Sequence, residues 1–193
     1  MKLNPLLVVM AVMALFIGIA ARAAHAATPA GLAINDPALK TSRTLKVSSV
    51  AILPNSAIPD VYSSYGKSLS PPIGWGRGPK GTASYALIIE DPDAPLPVPF
   101  VHWMLWNINP AYTGFDKGVV PPGARQGKLM YVGTVGYMGP KPSDAAAHHY
   151  HFQVFALDRV LDLPDGAERA DLGKAMAGHV LAAGELVGTY KKK

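Results

Sequence analysis

Two acids in Asp91-Pro92-Asp93, a histidine at His102, the turn Gly139-Pro140 and the pair His148 and Tyr150 are the residues of this chain best suited to build a site. Histidine titrates near pH 6.5, so a neighbouring carboxylate can fix its tautomer or hold it charged. Asp91 or Asp93 is placed to orient an imidazole in that way. Tyr150 would add a neutral hydroxyl, and the peptide N–H groups around Gly139 would add donors without bulk. Such a set can hold a phosphate-sized anion by hydrogen bonds and partial charge, with no arginine clamp. Taken singly, each residue has an ordinary explanation: a histidine on an apolar strand is often a satisfied core residue, and an aspartate beside proline often shapes a turn. The spacing is too long for local chemistry, so only a tertiary fold can bring the residues together.

The elements that must position them are mostly strands. Leu45 to Ile52, Ser84 to Glu90, Val101 to Ile108 and Tyr150 to Leu157 are short apolar runs bounded by Pro, Gly, Asn or Asp, which is the signature of β-structure. Leu172, Ala175, Met176, His179 and Ala183 recur with a helical period and predict one helix near the C-terminus, ending close to Gly184. A last strand is expected over Leu186 to Tyr190. Strand side chains alternate between faces. His148 and Tyr150 therefore share one face, and His149 and His151 the other. The same rule groups His102 with Met104 and Trp106, opposite Val101, Trp103 and Leu105. Both His102 and His148 are expected to lie outside the main apolar core.

The chain has 193 residues and no cysteine. Lys2, an uncharged stretch from Leu6 to Ala21, and Ala24-His25-Ala26 read as a secretory leader over residues 1–26, with a retained membrane anchor as the rival. Cleavage near Ala26 would make the protein periplasmic or secreted. Residues 27–42 read as a loose arm, and residues 43–193 as a single domain large enough to form its own core. Loss of Lys2 and Arg22 with the leader lowers the formal net charge from +5 to +3. The only basic cluster is Lys191-Lys192-Lys193, so nucleic acid is not an expected partner. No nucleotide loop or G-x-S-x-G elbow is present, and no cofactor is called for.

Several segments in order resemble the phosphatidylethanolamine-binding protein family, in particular its bacterial Raf kinase inhibitor-like branch. They are Pro71-Pro72-Ile73-Gly74-Trp75, Gly81-Thr82-Ala83-Ser84, Asp91-Pro92-Asp93-Ala94-Pro95, His102-Trp103, Tyr137-Met138-Gly139-Pro140, His148-His149-Tyr150 and Gly178-His179-Val180-Leu181-Ala182. The resemblance runs from about Leu45 to Tyr190. It implies a mostly β single domain of two antiparallel sheets packed as a sandwich, with a few peripheral helices. It also implies a pocket for phosphate, acetate or a phospholipid head group, formed by Asp91, Asp93, His102, Gly139, Pro140, His148 and Tyr150. Where the family commonly reads Gly-Pro-Cys-Pro-Pro, this chain has Gly139-Pro140-Lys141-Pro142-Ser143, which puts a cation at the pocket mouth. The family's Gly-Asn element is replaced by Gly123-Ala124-Arg125-Gln126-Gly127.

Three functions remain open at this level. The first is a binding protein, not an enzyme, for a phosphorylated or otherwise anionic small molecule or head group. The second is inhibition of a protease or other enzyme through the loops Asp91 to Phe100 and Gly139 to Asp144. The third is a hydrolase, metal-dependent or acid–base, for which His149 and His151 supply two zinc-type ligands on one strand face without an evident third. Oligomeric state is not legible.

Overall fold

The computed structural model describes residues 31–129 and 131–192. The expected leader over residues 1–26 and the first part of the expected arm lie outside these. Nine strands run in the order β1 (Val47–Ser48), β2 (Ser56–Ala57), β3 (Ile73–Trp75), β4 (Ser84–Asp91), β5 (Phe100–Ile108), β6 (Gly114–Phe115), β7 (Arg125–Gln126), β8 (Ala147–Leu157) and β9 (Val180–Lys191). One α-helix, α1 (Arg169–Met176), separates β8 from β9. The strands form a six-stranded sheet in the order β2-β9-β8-β4-β5-β7 and a three-stranded sheet β1-β3-β6. Every pairing is antiparallel except the short one of β2 with β9.

The large sheet is covered on both faces, which explains why every residue of β4 is buried. Alternation sorts its side chains. Tyr85, Leu87 and Ile89 point toward the small sheet, where they meet Ile73, Trp75, Trp103 and Phe152. Ala86 and Ile88 point the other way and pack with Met104, Trp106, Phe155, Leu172 and Met176. Period-2 burial on both sides makes the central strands read as continuous apolar runs.

Residues 31–42 are not a loose arm. Two short 3-10 turns, Ala33–Asn35 and Pro37–Leu39, bury Ala33 and Leu39 in the outer core. Glu90, itself 1% exposed, binds this segment: its carboxylate accepts from the Ala33 N–H at 2.8 Å, the Gln153 amide at 2.8 Å and the Arg169 guanidinium at 3.0 Å. Gln153 in turn accepts from the Ile34 N–H at 2.7 Å. A buried carboxylate is tolerated only with such partners.

Two other expectations differ. The run Leu45 to Ile52 pairs only at Val47–Ser48. The helix stops at Met176, because Gly178 adopts φ +76°, the His179 N–H closes onto the Met176 carbonyl at 2.9 Å, and the chain then enters a twelve-residue strand along β8. Backbone pairing with a long neighbour outweighs the helical spacing of His179 and Ala183.

The most consequential departure is in β5. Ile89 pairs with Trp103 and Glu90 with Val101, so His102 is an extra residue with no partner on β4. This β-bulge breaks the alternation. Val101 goes to the outer core while Trp103 goes to the core between the sheets. His102 turns to the same side as Trp103, where its ring meets Tyr150 edge-on at 5.0 Å.

Candidate functional site

Asp91 ends β4, His102 sits on the β5 bulge, and His148 and Tyr150 lie two apart on β8, so one end of the large sheet presents all four to the same side. They are 3%, 4%, 2% and 1% exposed, in that order. The two histidines are thus buried polar side chains that line a cavity and belong to neither apolar cluster. Together with Ala94, Pro95, Leu96, Phe100, Met138, Lys141, Pro142 and Ser143 they line a cavity of about 240 Å³. The expected loops, Asp91 to Phe100 and Gly139 to Asp144, contribute much of its wall.

Asp91 organises the polar end. One carboxylate oxygen accepts from the Asp93 N–H at 2.8 Å and shapes the turn, while the other holds His148 Nδ1 at 2.8 Å. The far nitrogen, Nε2, lies 3.4 Å from the carboxylate of Asp144. Burial alone would lower the His148 pKa, but its hydrogen bond and charge attraction to Asp91, reinforced by Asp144, raise it above the ordinary 6.5. Its place between two acids therefore biases His148 toward the charged form.

His102 behaves in the opposite way. Its Nδ1 is 2.8 Å from the Met138 carbonyl, and a carbonyl only accepts, so Nδ1 carries the proton. Burial drives its pKa down to about 4, against the Met138 hydrogen bond, which favours the charged form. The ring is neutral near pH 7. Since the Met138 N–H also donates to the His102 carbonyl at 2.9 Å, strand and second loop are clipped together at this residue.

Tyr150 completes the set. Its hydroxyl is buried without a hydrogen-bond partner, although the Asp91 carboxylate and the Lys141 backbone are close enough to act on its ionisation. Burial first, and then the Asp91 charge, push its pKa well above the ordinary 10. It stays a neutral hydroxyl.

Three expected site residues are not in the cavity wall. Asp93 faces outward and binds both the N–H and Nδ1 of His149, each at 2.7 Å. Gly139 and Pro140 are anchor points for the second loop. The Gly139 N–H donates to the Ser68 hydroxyl at 2.9 Å, the Pro140 carbonyl accepts from the Ser64 N–H at 3.0 Å, and a side chain at Gly139 would collide with the Tyr62 carbonyl oxygen. Glycine is required there by close backbone approach, not to receive a ligand. His149 and His151 do share a face, but His151 Nδ1 is bound to Glu185 at 2.8 Å. Among the described residues no three His, Asp or Glu side chains gather as a metal-binding group.

Sequence reasoning misses Phe100, Met138 and Asp144. Phe100 stacks beside His102 with ring centres 4.8 Å apart. Met138 acts through its backbone carbonyl, which leaves no trace in residue type. Asp144 precedes His148 by one helical turn in sequence, but it lies in a loop, where that spacing carries no meaning. A larger cavity of about 310 Å³ is lined by Lys128, Tyr131, Glu168 and Arg169. Its Arg169 is already committed to Glu90.

Residues 48–191 match the family model of the phosphatidylethanolamine-binding protein. The chain belongs to the phosphatidylethanolamine-binding protein family. It is 44% identical over 140 residues to a UPF0098 protein of Methanothermobacter thermautotrophicus, covering 70% of this chain and 91% of that one. A UPF0098 protein of Chlamydia trachomatis is 38% identical over 152 residues, covering 77% and 99%. Among solved structures, a phosphatidylethanolamine-binding protein homolog from Chlamydia trachomatis superposes with a TM-score of 0.73 at 36% identity, over 79% of this chain and 100% of that one. YbcL of E. coli, a member of the same family, gives 0.71 at 28% identity, over 77% and 99%. The sandwich and its ligand-binding framework are thus those of the family.

Proposed function

We propose that this protein binds a small anionic group, such as the phosphoryl group of a phosphorylated molecule or a lipid head group, in the cavity between the loops 91–100 and 139–144, without converting it. The observation that carries this reading is the Tyr150 hydroxyl at the cavity wall, a buried donor with no well-formed hydrogen bond in the protein, only the nearby Asp91 carboxylate and Lys141 backbone. An unsatisfied buried polar group costs about 1–3 kcal/mol, so its retention at a cavity wall points to a partner from outside. Lys141, together with His148 when protonated, supplies the matching sign. Phe100, Leu96 and Pro95 would cover the apolar part of the ligand. At about 240 Å³, the cavity is smaller than the roughly 300–1,000 Å³ typical of pockets for drug-sized molecules, which suits a head group.

Calorimetric titration with inorganic phosphate and phosphoethanolamine tests the reading. Tyr150→Phe is expected to weaken binding about ten-fold, or about 1.4 kcal/mol. Its stability should stay close to wild type, since no well-formed internal hydrogen bond is lost. An unchanged affinity in Tyr150→Phe, or no anion binding by the wild type at millimolar concentration, would sink the proposal.

The same reading includes export. Mass spectrometry of the protein expressed in a bacterial host is expected to find a mature chain beginning near Ala27. An intact N-terminus in the membrane fraction would instead favour a retained anchor.

A further inference from the structure

We infer that the cavity selects an anion that itself donates a hydrogen bond, namely the protonated monoanion of a phosphate monoester, in preference to a dianion or a phosphodiester, and that His102 is the residue that reads that proton. This rests on the reading of the cavity as an anion site and names the ligand form it takes.

Two independent observations converge on it. The first is the hydrogen-bond inventory. The Met138 carbonyl fixes the proton of His102 on Nδ1, so Nε2 has only a lone pair to offer the cavity that the ring lines. A phosphodiester or a dianion has only acceptors, and would set an oxygen against that lone pair. A P–OH group satisfies it. The Tyr150 hydroxyl, which makes no well-formed hydrogen bond in the protein, can meanwhile donate to a non-protonated phosphoryl oxygen.

The second observation is the balance of charge. His148 is flanked by Asp91 at 2.8 Å and Asp144 at 3.4 Å. The two carboxylates offset Lys141 and any positive charge on His148, so the site holds no surplus of positive charge. Nothing in this arrangement compensates a second negative charge on the ligand, and a buried charge without compensation is strongly disfavoured. A group with one charge and one hydroxyl meets both conditions.

The groups that share the cavity wall with His102 are Asp91 on β4, His148 and Tyr150 on β8, and Lys141 on the second loop, with Asp144 behind His148. His102 remains an acceptor down to about pH 4, where burial sets its titration. Phosphate monoesters lose their second proton near pH 6. Monoester affinity should therefore fall as the pH rises from 5.5 to 8, while that of a permanently monoanionic diester tracks only the charge of His148.

Titration of the full-length protein with monomethyl phosphate and dimethyl phosphate at pH 5.5 and 8 tests this. At pH 5.5 the monoester is expected to bind at least about ten-fold tighter, equivalent to about 1.4 kcal/mol, with the advantage shrinking at pH 8. His102→Phe keeps a planar ring beside Phe100 and Tyr150 and should abolish the discrimination. If that variant fails to fold, the wild-type ligand comparison still decides. Nitrogen NMR of the histidines gives a further check, since the proton of His102 should reside on Nδ1. Equal or tighter binding of dimethyl phosphate, an affinity for monomethyl phosphate that rises with pH, or a proton on Nε2 overturns the inference while leaving the anion site standing. Absence of binding by both esters removes the inference and the anion site together.

Discussion

Arg169→Met is expected to lower the free energy of unfolding by about 3 kcal/mol, the cost of breaking a buried ion pair by removing one partner. Glu90 is enclosed between the large sheet and α1, and among the described residues Arg169 is its only charged partner, at 3.0 Å. The guanidinium also donates to the Gly31 carbonyl at 3.1 Å, so its loss loosens the start of the described chain. Methionine is nearly as good a helix former as arginine, which keeps helix propensity out of the comparison. Urea unfolding measures the effect. Adding Glu90→Gln should recover much of the loss, because the uncompensated carboxylate is then gone, and a coupling of about 1–3 kcal/mol is expected from the cycle. A single variant within 1 kcal/mol of wild type would show that the pair contributes nothing. Protease cleavage within residues 31–42 should rise in parallel.

Acid is expected to remove a comparable amount of stability through His102. In the folded protein burial holds its pKa at about 4, whereas in the unfolded chain it returns to about 6.5. Between those values the unfolded chain binds a proton that the folded protein does not, so stability rises with pH across the window and is lost as pH falls through it. Each pH unit costs about 1.4 kcal/mol, or about 3 kcal/mol by pH 4. His148 works in the other direction. Its raised pKa contributes stability that is complete below the unfolded value and lost as pH rises through the folded one. Unfolding of wild type and His102→Phe at pH 7, 5.5 and 4.5 separates the two. The variant should lose less stability on acidification, and an identical loss in both proteins would refute the assignment.

The strands that carry the site were legible because they are the most buried. Ser84 to Glu90, Val101 to Ile108 and Tyr150 to Leu157 are apolar runs closed by turn residues, and each falls within a strand of the large sheet. The pairing of His148 with Tyr150 on one face followed from alternation alone. What could not be read were places where one backbone meets another. The bulge at His102 depends on pairing with β4, and alternation therefore assigned that ring to the side of Met104. Gly139 looked like a donor to a ligand, whereas its N–H is used by Ser68 and its lack of a side chain by Tyr62. The helical spacing through His179 and Ala183 was genuine but yielded to a ladder along β8 that no local pattern reveals. Residues 31–42 lack periodicity, and their attachment comes from Glu90 and Gln153, far away in the chain.

Because His102 is surplus to the pairing of β4 with β5, its identity is insulated from strand register. Ile89 would still meet Trp103, and Glu90 would still meet Val101, whatever side chain stands between them. The chemistry of this cavity can therefore diversify by exchange at one position while the scaffold beneath it is inherited intact.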